Sequence, residues 1–171
     1  MINHQELRES FRPNIIKILF IAEAPPEGDT FFYSAKSGFY IYTKQAFEVV
    51  FKKEIDGAKF LDFFKTTGFY LDDLSHTPRA FDEICLNKNS LINNLKDRIT
   101  LYNPEAIIVT PRRIEGFVRQ AINLSDLAKK IDPENIFPLY FAGNGWQNKY
   151  VSGLTSTLYS LIRKKIISCS N

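Results

Sequence analysis

The chain has 171 residues, of which 44% are hydrophobic and 14% aromatic, which is typical of one folded domain with a substantial core and excludes a disordered chain. Its two cysteines, Cys85 and Cys169, are far apart and exclude a disulfide framework, a zinc site built from thiolates and a cysteine-bound iron–sulfur cluster. The net charge of +3 permits contact with phosphates but does not require it.

The sequence carries no pattern typical of secretion or of membrane insertion. The apolar run at residues 15–22 is too short to cross a bilayer and contains Lys17. The first nine residues are mostly polar or charged, where a signal peptide needs an apolar segment. We therefore predict a single domain over residues 1–171, located in the cytoplasm, with no membrane partner, no metal and no other cofactor.

In chain order, the first half alternates helical and extended patterns. It is predicted to form a helix at residues 3–11, a strand at 15–22, helices at 43–51 and 57–67, and a strand with its exit at 69–76. The first strand must end before Pro25 and Pro26, because proline cannot extend a central ladder. Thr43 is the expected N-cap of its helix, and Gly68 is expected to close the helix before it.

The second half continues the alternation. It is predicted to form a helix at residues 90–101, a strand at 106–110, helices at 112–122 and 125–131, a strand at 136–142, and a last helix from about 149–152 onward. Pro111 suits the first turn of a helix, and Pro138 indicates an edge strand or a late strand start. Strands that alternate with helices pair in parallel through right-handed crossovers. The fold class is therefore α/β, a three-layer α/β/α sandwich with a four-stranded parallel sheet.

Polar side chains lie at or just beyond the carboxyl end of each predicted strand. The first strand contributes Glu23, the second Asp72, Asp73 and His76, the third Thr110, Arg112 and Arg113, and the fourth Asn144, Trp146 and Gln147. The carboxyl ends of parallel strands share one edge, where open α/β sheets bind ligands. Each residue alone has an ordinary explanation, such as a surface acid, a capping histidine or a solvated basic pair. Their joint placement predicts a ligand site.

Several of these segments together resemble the uracil-DNA glycosylase superfamily. Residues 22–26 (Ala-Glu-Ala-Pro-Pro) look like its motif after the first strand, and Phe32 is similar to the aromatic residue that stacks on the extruded base. Residues 69–78 resemble its second motif and residues 103–110 its third strand, while its last motif falls at 142–146. The resemblance covers most of the chain through the order and spacing of motifs, and it implies a uracil-DNA glycosylase-like fold.

The resemblance implies that a damaged or deaminated base is extruded from DNA and released by hydrolysis of its N-glycosidic bond. Glu23 would orient water or stabilise positive charge on the sugar, and Asn144 would donate a hydrogen bond to the departing base. The implied base contacts are Phe32, Tyr33, Asp72, Asp73, His76 and Trp146, and the implied phosphate contacts are Arg112 and Arg113.

The chain departs from the family pattern at two positions. Asp72 or Asp73 stands where the family has an asparagine, and Asn144 lies nearest to the place of the family's last-motif histidine. An ionised aspartate accepts hydrogen bonds but cannot donate them, so we expect a base with donors on that edge, such as a cytosine, guanine or adenine derivative, in place of uracil.

Two other functions remain open. One is a non-catalytic nucleotide or nucleic-acid binding module on the same fold, and the other is an unrelated doubly wound enzyme that acts on a small molecule. The sequence contains neither Gly-x-Gly-x-x-Gly after the first strand nor a Gly-Lys-Ser/Thr loop, so dinucleotide-binding and P-loop chemistry are poorly supported.

Overall fold

The computed structural model describes residues 3–168, so Cys169 lies outside the described residues. Its centre is a sheet of four parallel strands, β1 (Ile18–Ala22), β2 (Phe69–Asp73), β3 (Ala106–Val109) and β4 (Ile136–Pro138). The strands lie in the order β2-β1-β3-β4. The predicted four-stranded parallel sheet is thus confirmed.

Seven α-helices surround the sheet within residues 3–168. They are α1 (His4–Ser10), α2 (Gly38–Phe51), α3 (Gly57–Thr66), α4 (Phe81–Leu86), α5 (Lys88–Tyr102), α6 (Glu115–Leu124) and α7 (Gln147–Arg163). Short 3-10 helices occupy Phe32–Ser34, Arg112–Ile114 and Pro133–Asn135. None of the helices in this part of the chain is long and apolar enough to cross a membrane.

The two faces of β2 show how the layers are formed. Neighbouring side chains of a strand point to opposite faces. Phe69 packs against Phe47 of α2 at 4.9 Å and Phe64 of α3 at 5.3 Å between ring centroids. The next residue, Tyr70, packs on the other face against Tyr102 of α5 at 5.5 Å. Helices therefore cover both faces, which confirms the three-layer α/β/α sandwich.

The start of α2 differs from the prediction. The helix begins at Gly38 and is capped by Ser37, whose hydroxyl accepts a hydrogen bond from the Tyr40 amide at 3.0 Å. Thr43 is buried inside the helix, where its hydroxyl donates to the Phe39 carbonyl at 2.7 Å. Threonine can cap a helix, but inside a helix its hydroxyl can also donate to the carbonyl four residues earlier. The position of Thr43 alone therefore does not show where α2 starts.

Three other predictions of local structure are wrong. Residues 125–131 form turns and not a helix, although the Ser125 hydroxyl accepts from the Leu127 amide as an N-cap would. The short helix α4 was missed. The strand predicted at 136–142 ends at Pro138, which lies on an edge strand as expected of a proline.

Candidate functional site

A cleft of about 770 Å³ opens at the carboxyl edge of the sheet. Its walls are the loop after β1, the segment at 30–39 that contains a 3-10 turn, the loop after β3 and the loop after β4. Its volume falls in the range of small-molecule and cofactor sites. The cleft lies where the polar residues that follow the strands are expected to meet.

Seven of the ten site residues predicted from the sequence line this cleft. They are Glu23, Phe32, Asp73, Arg112, Arg113, Asn144 and Trp146. Phe32 is almost fully buried in the wall, whereas Asn144 is exposed at a left-handed turn with a φ of 54°. Tyr33, Asp72 and His76 are not part of the lining.

Glu23 forms a two-point ion pair with Arg113. The Arg113 Nε and Nη2 atoms each donate to one carboxylate oxygen of Glu23, both at 2.6 Å. The guanidinium lies 4.4 Å from the centre of the Phe81 ring, and its hydrogen bonds to Glu23 raise the pKa of Arg113. Paired hydrogen bonds of this kind fix direction as well as distance. The arginine predicted to contact phosphate therefore holds the predicted catalytic carboxylate.

Asp73 lies buried at the inner end of the cleft. Its Oδ2 atom accepts a hydrogen bond from Nη2 of Arg8, a residue of α1 that is only 1% exposed. Burial raises the pKa of Asp73 to about 6, with Arg8 acting against this rise and Asp72 adding to it. Below that pH the carboxyl carries a proton and can donate a hydrogen bond as well as accept one.

Asp72 and His76 belong to a separate polar cluster beside the cleft. The His76 Nε2 atom lies 2.8 Å from the Asp72 Oδ1 atom, and Arg98 of α5 donates to Asp72 and to the Asp73 carbonyl, the latter at 3.0 Å. Burial opposes ionisation, but the His76 hydrogen bond and the charges of Arg98 and Arg8 lower the pKa of Asp72. Because Asp72 and Asp73 are adjacent in a strand, they point to opposite faces. The cluster therefore ties α5 to the end of β2, and neither Asp72 nor His76 lines the cleft.

Tyr33 also lies outside the cleft lining. Its hydroxyl accepts from the Leu71 amide at 2.7 Å and donates to the Leu71 carbonyl at 3.1 Å, and burial raises its pKa well above the ordinary tyrosine value. The strand β2 is an edge strand, so the hydroxyl pairs two main-chain groups that no neighbouring strand reaches. Tyr33 therefore completes the sheet edge.

Tyr33→Phe is expected to lower the free energy of unfolding by about 1–3 kcal/mol, because it leaves a buried amide and a buried carbonyl of Leu71 unpaired. Urea denaturation measures the loss. Tyr159→Phe is the matched control, since Tyr159 is exposed on α7, and its effect should stay within about 0.5 kcal/mol. Equal effects of the two substitutions would contradict the role given to Tyr33.

The loops after β3 and β4 are joined at the mouth of the cleft. The Thr110 hydroxyl donates to the Tyr140 carbonyl at 3.0 Å, and the Arg112 amide donates to the Leu139 carbonyl at 2.7 Å. The Tyr140 ring stacks on Trp146 with a centroid distance of 4.8 Å and an interplanar angle of 10°. Tyr140 was missed as a site residue because the sequence placed it inside a strand.

The turn that carries Asn144 has its own steric requirement. A Cβ atom on Gly143 would lie 2.8 Å from Cε1 of Phe141, and Gly145 has a φ of 83°. Both positions therefore favour glycine, and together they let the chain pass from β4 to the start of α7 while Asn144 remains beside the cleft.

Neither a metal centre nor a match to a known protein adds an assignment to the cleft. Among residues 3–168, no group of three or more histidine, cysteine, aspartate or glutamate side chains is placed to hold a metal ion. No protein-family model matches the chain, and no curated protein shows a significant sequence match to it. What the cleft does must therefore be inferred from its own residues.

Proposed function

We propose that this protein is a uracil-DNA glycosylase-like hydrolase, which releases a damaged or deaminated base from DNA by cleaving its N-glycosidic bond. One observation carries the proposal. A single cleft at the carboxyl edge of the sheet combines an oriented carboxylate, Glu23, with aromatic walls and with Arg112 at its mouth. An extruded base needs a flat apolar slot, polar groups at its edge and a charge near the sugar.

Each role follows from the position of a residue in the cleft. Phe32 forms part of the apolar wall against which a base can pack, and Asp73 offers a carboxyl to the edge of that base. Glu23, whose direction Arg113 fixes, lies where it can orient water or stabilise positive charge on the sugar. Asn144 can donate its amide to the departing base.

The same ion pair favours a second candidate, a non-catalytic module that binds nucleic acid. Arg113 contacts both carboxylate oxygens of Glu23. If this pair stays closed in the complex, the carboxylate serves to position Arg113, and the cleft binds a base without releasing it. Base release and binding therefore have to be measured on the same substrates.

A panel of labelled oligonucleotides, each with one damaged or deaminated base, tests both candidates. We expect at least one substrate to yield an abasic site that alkali cleaves, and derivatives with donor groups on the edge facing Asp73 should react faster than uracil. The control is the same strand without a lesion. Binding that falls steeply with salt but yields no abasic product would favour the non-catalytic module. Absence of both binding and release would contradict both candidates.

A further inference from the structure

The rim of the cleft carries a stacked aromatic pair that is partly exposed to solvent. Tyr140 and Trp146 lie with their rings 4.8 Å apart and nearly parallel, and both line the cleft. Trp146 is 42% exposed. Part of its ring is thus free to receive another flat ring directly beside the cleft.

Two cations flank this pair. The Arg112 guanidinium lies 5.2 Å from the centre of the Tyr140 ring, and the Lys149 Nζ atom lies 4.5 Å from Trp146 and 5.2 Å from Tyr140. The two ring centres are only 4.8 Å apart. An ammonium beyond the outer face of Trp146 would be much farther from Tyr140 than from Trp146, whereas the Lys149 ammonium is almost equally far from both. It therefore lies at the side of the stack. Lys149 therefore leaves the outer part of Trp146 open.

These cations also differ from Arg113 in their partners. Within residues 3–168, Arg112 and Lys149 form no ion pair with a carboxylate, whereas Arg113 is paired with Glu23. Unpaired cations next to an exposed aromatic stack complement a chain of phosphates and bases. Single-stranded nucleic acids are bound by this combination of charge and stacking.

We propose that Tyr140, Trp146, Arg112 and Lys149 form a strand-binding platform that makes single-stranded DNA the preferred substrate. The base next to the one in the cleft stacks on Trp146, and the adjoining phosphates contact Arg112 and Lys149. This inference rests on the proposed function, because it takes the base in the cleft to belong to DNA. In a duplex the neighbouring base is paired and stacked within the helix, so it would have to be pulled out to reach Trp146.

Trp146 is the single tryptophan of the chain, so its fluorescence reports on the platform directly. We expect an undamaged single strand of about 15 nucleotides to quench this fluorescence and to bind about tenfold more tightly than the duplex of the same sequence. Equal affinity for strand and duplex, or binding without quenching, would overturn the proposal. An RNA strand that binds about tenfold more tightly than the DNA strand would overturn the assignment to DNA.

Variants test the stacking contact with a fluorescently labelled strand. Trp146→Ala should weaken binding of the single strand about tenfold, while Trp146→Phe, which keeps a ring, should restore most of the affinity. Tyr159→Ala is the matched control, since Tyr159 is also 42% exposed but lies near the other end of α7. Unchanged binding by Trp146→Ala would overturn the stacking role.

Salt dependence tests the phosphate contacts. Lys149→Gln should reduce the slope of log affinity against log salt by about 0.7, the value for one phosphate contact with a single strand. Lys129→Gln is the control, because Lys129 lies in the turns that lead from α6 to the start of β4, away from the carboxyl edge, and it should leave the slope unchanged. Equal slopes for both variants would overturn the role of Lys149.

The platform and the proposed function fail in different ways. If the undamaged strand binds as described but no lesion is released, the glycosylase proposal fails and the platform stands. If a lesion is released equally fast from strand and duplex, and Trp146→Ala changes neither rate, the glycosylase proposal stands and the platform fails.

Discussion

Glu23→Ala is expected to slow base release by about 10²- to 10⁴-fold, the range seen when a general base or a charge-stabilising group is removed from an active site. Glu23 is half-buried in the wall of the cleft, and Arg113 holds both of its oxygens in place. Asp73, the other carboxyl in the cleft lining, is buried and bound to Arg8. Asp73 is therefore poorly placed to replace Glu23 in orienting water or in stabilising positive charge on the sugar.

The rate of base release under single-turnover conditions measures this effect, and strand binding measured alongside separates chemistry from affinity. Loss of Glu23 frees Arg113 for phosphate, so Glu23→Ala should keep or increase affinity while it loses rate. Glu27→Ala is the matched control, since Glu27 is an exposed acid four residues later that is not part of the cleft lining. Release by Glu23→Ala at the unsubstituted rate would remove Glu23 from the mechanism.

The sheet was predictable because its strands are short apolar runs that proline, glycine or polar residues interrupt. Residues 106–109 (Ala-Ile-Ile-Val) are fully buried in β3, and a run of this kind suits a strand covered on both faces. The helices between the strands then require parallel pairing. The carboxyl edge, and with it most of the cleft lining, follows from that topology.

The partners of the polar residues were not predictable in the same way. Asp72 and Asp73 are adjacent, and only the register of β2 decides which one faces the cleft, since a shift of one residue exchanges the two faces. The sequence placed Glu23 and Arg113 at the same edge but gave no reason to pair them. Arg8 offered no signal at all, because it is 65 positions away from Asp73 and lies on a short helix outside the strand–helix alternation.

Arg8→Met is expected to lower the free energy of unfolding by about 3–5 kcal/mol at pH 8, since removing one partner of a buried ion pair leaves an uncompensated charge. Arg8 is fully buried between the carboxylates of Asp72 and Asp73. Its Nη2 atom donates to Oδ2 of Asp73, and its Nε atom lies 3.6 Å from Oδ1 of Asp72. Asp72 keeps Arg98 and His76 as partners. The Asp73 carboxylate loses the one cationic side chain that pairs with it among the described residues.

The loss should shrink as the pH falls, because Asp73 can then be buried without charge. Burial already raises the pKa of Asp73 from 3.8 to about 6 in the folded protein, and removal of Arg8 raises it further. Between pH 4 and that raised value the folded variant holds a proton that the unfolded chain has released, so its stability falls as the pH rises. Urea denaturation of Arg8→Met and of the parent protein should therefore give a smaller difference at pH 5 than at pH 8.

Two further variants separate the buried charge from the packing of the arginine. In the double variant Arg8→Met/Asp73→Asn no carboxylate is buried without a partner. This variant should recover more than half of the unfolding free energy lost at pH 8. Its remaining loss should be no greater at pH 8 than at pH 5. Arg12→Met is the control, because Arg12 is an exposed residue just after α1 that pairs with Glu9, and an exposed pair of this kind contributes at most about 1 kcal/mol. Two results together would contradict the role given to the charge: an equal loss of unfolding free energy for Arg8→Met at both pH values, and no recovery when Asp73→Asn is added. Arg8 would then stabilise the fold through its packing and not through its charge.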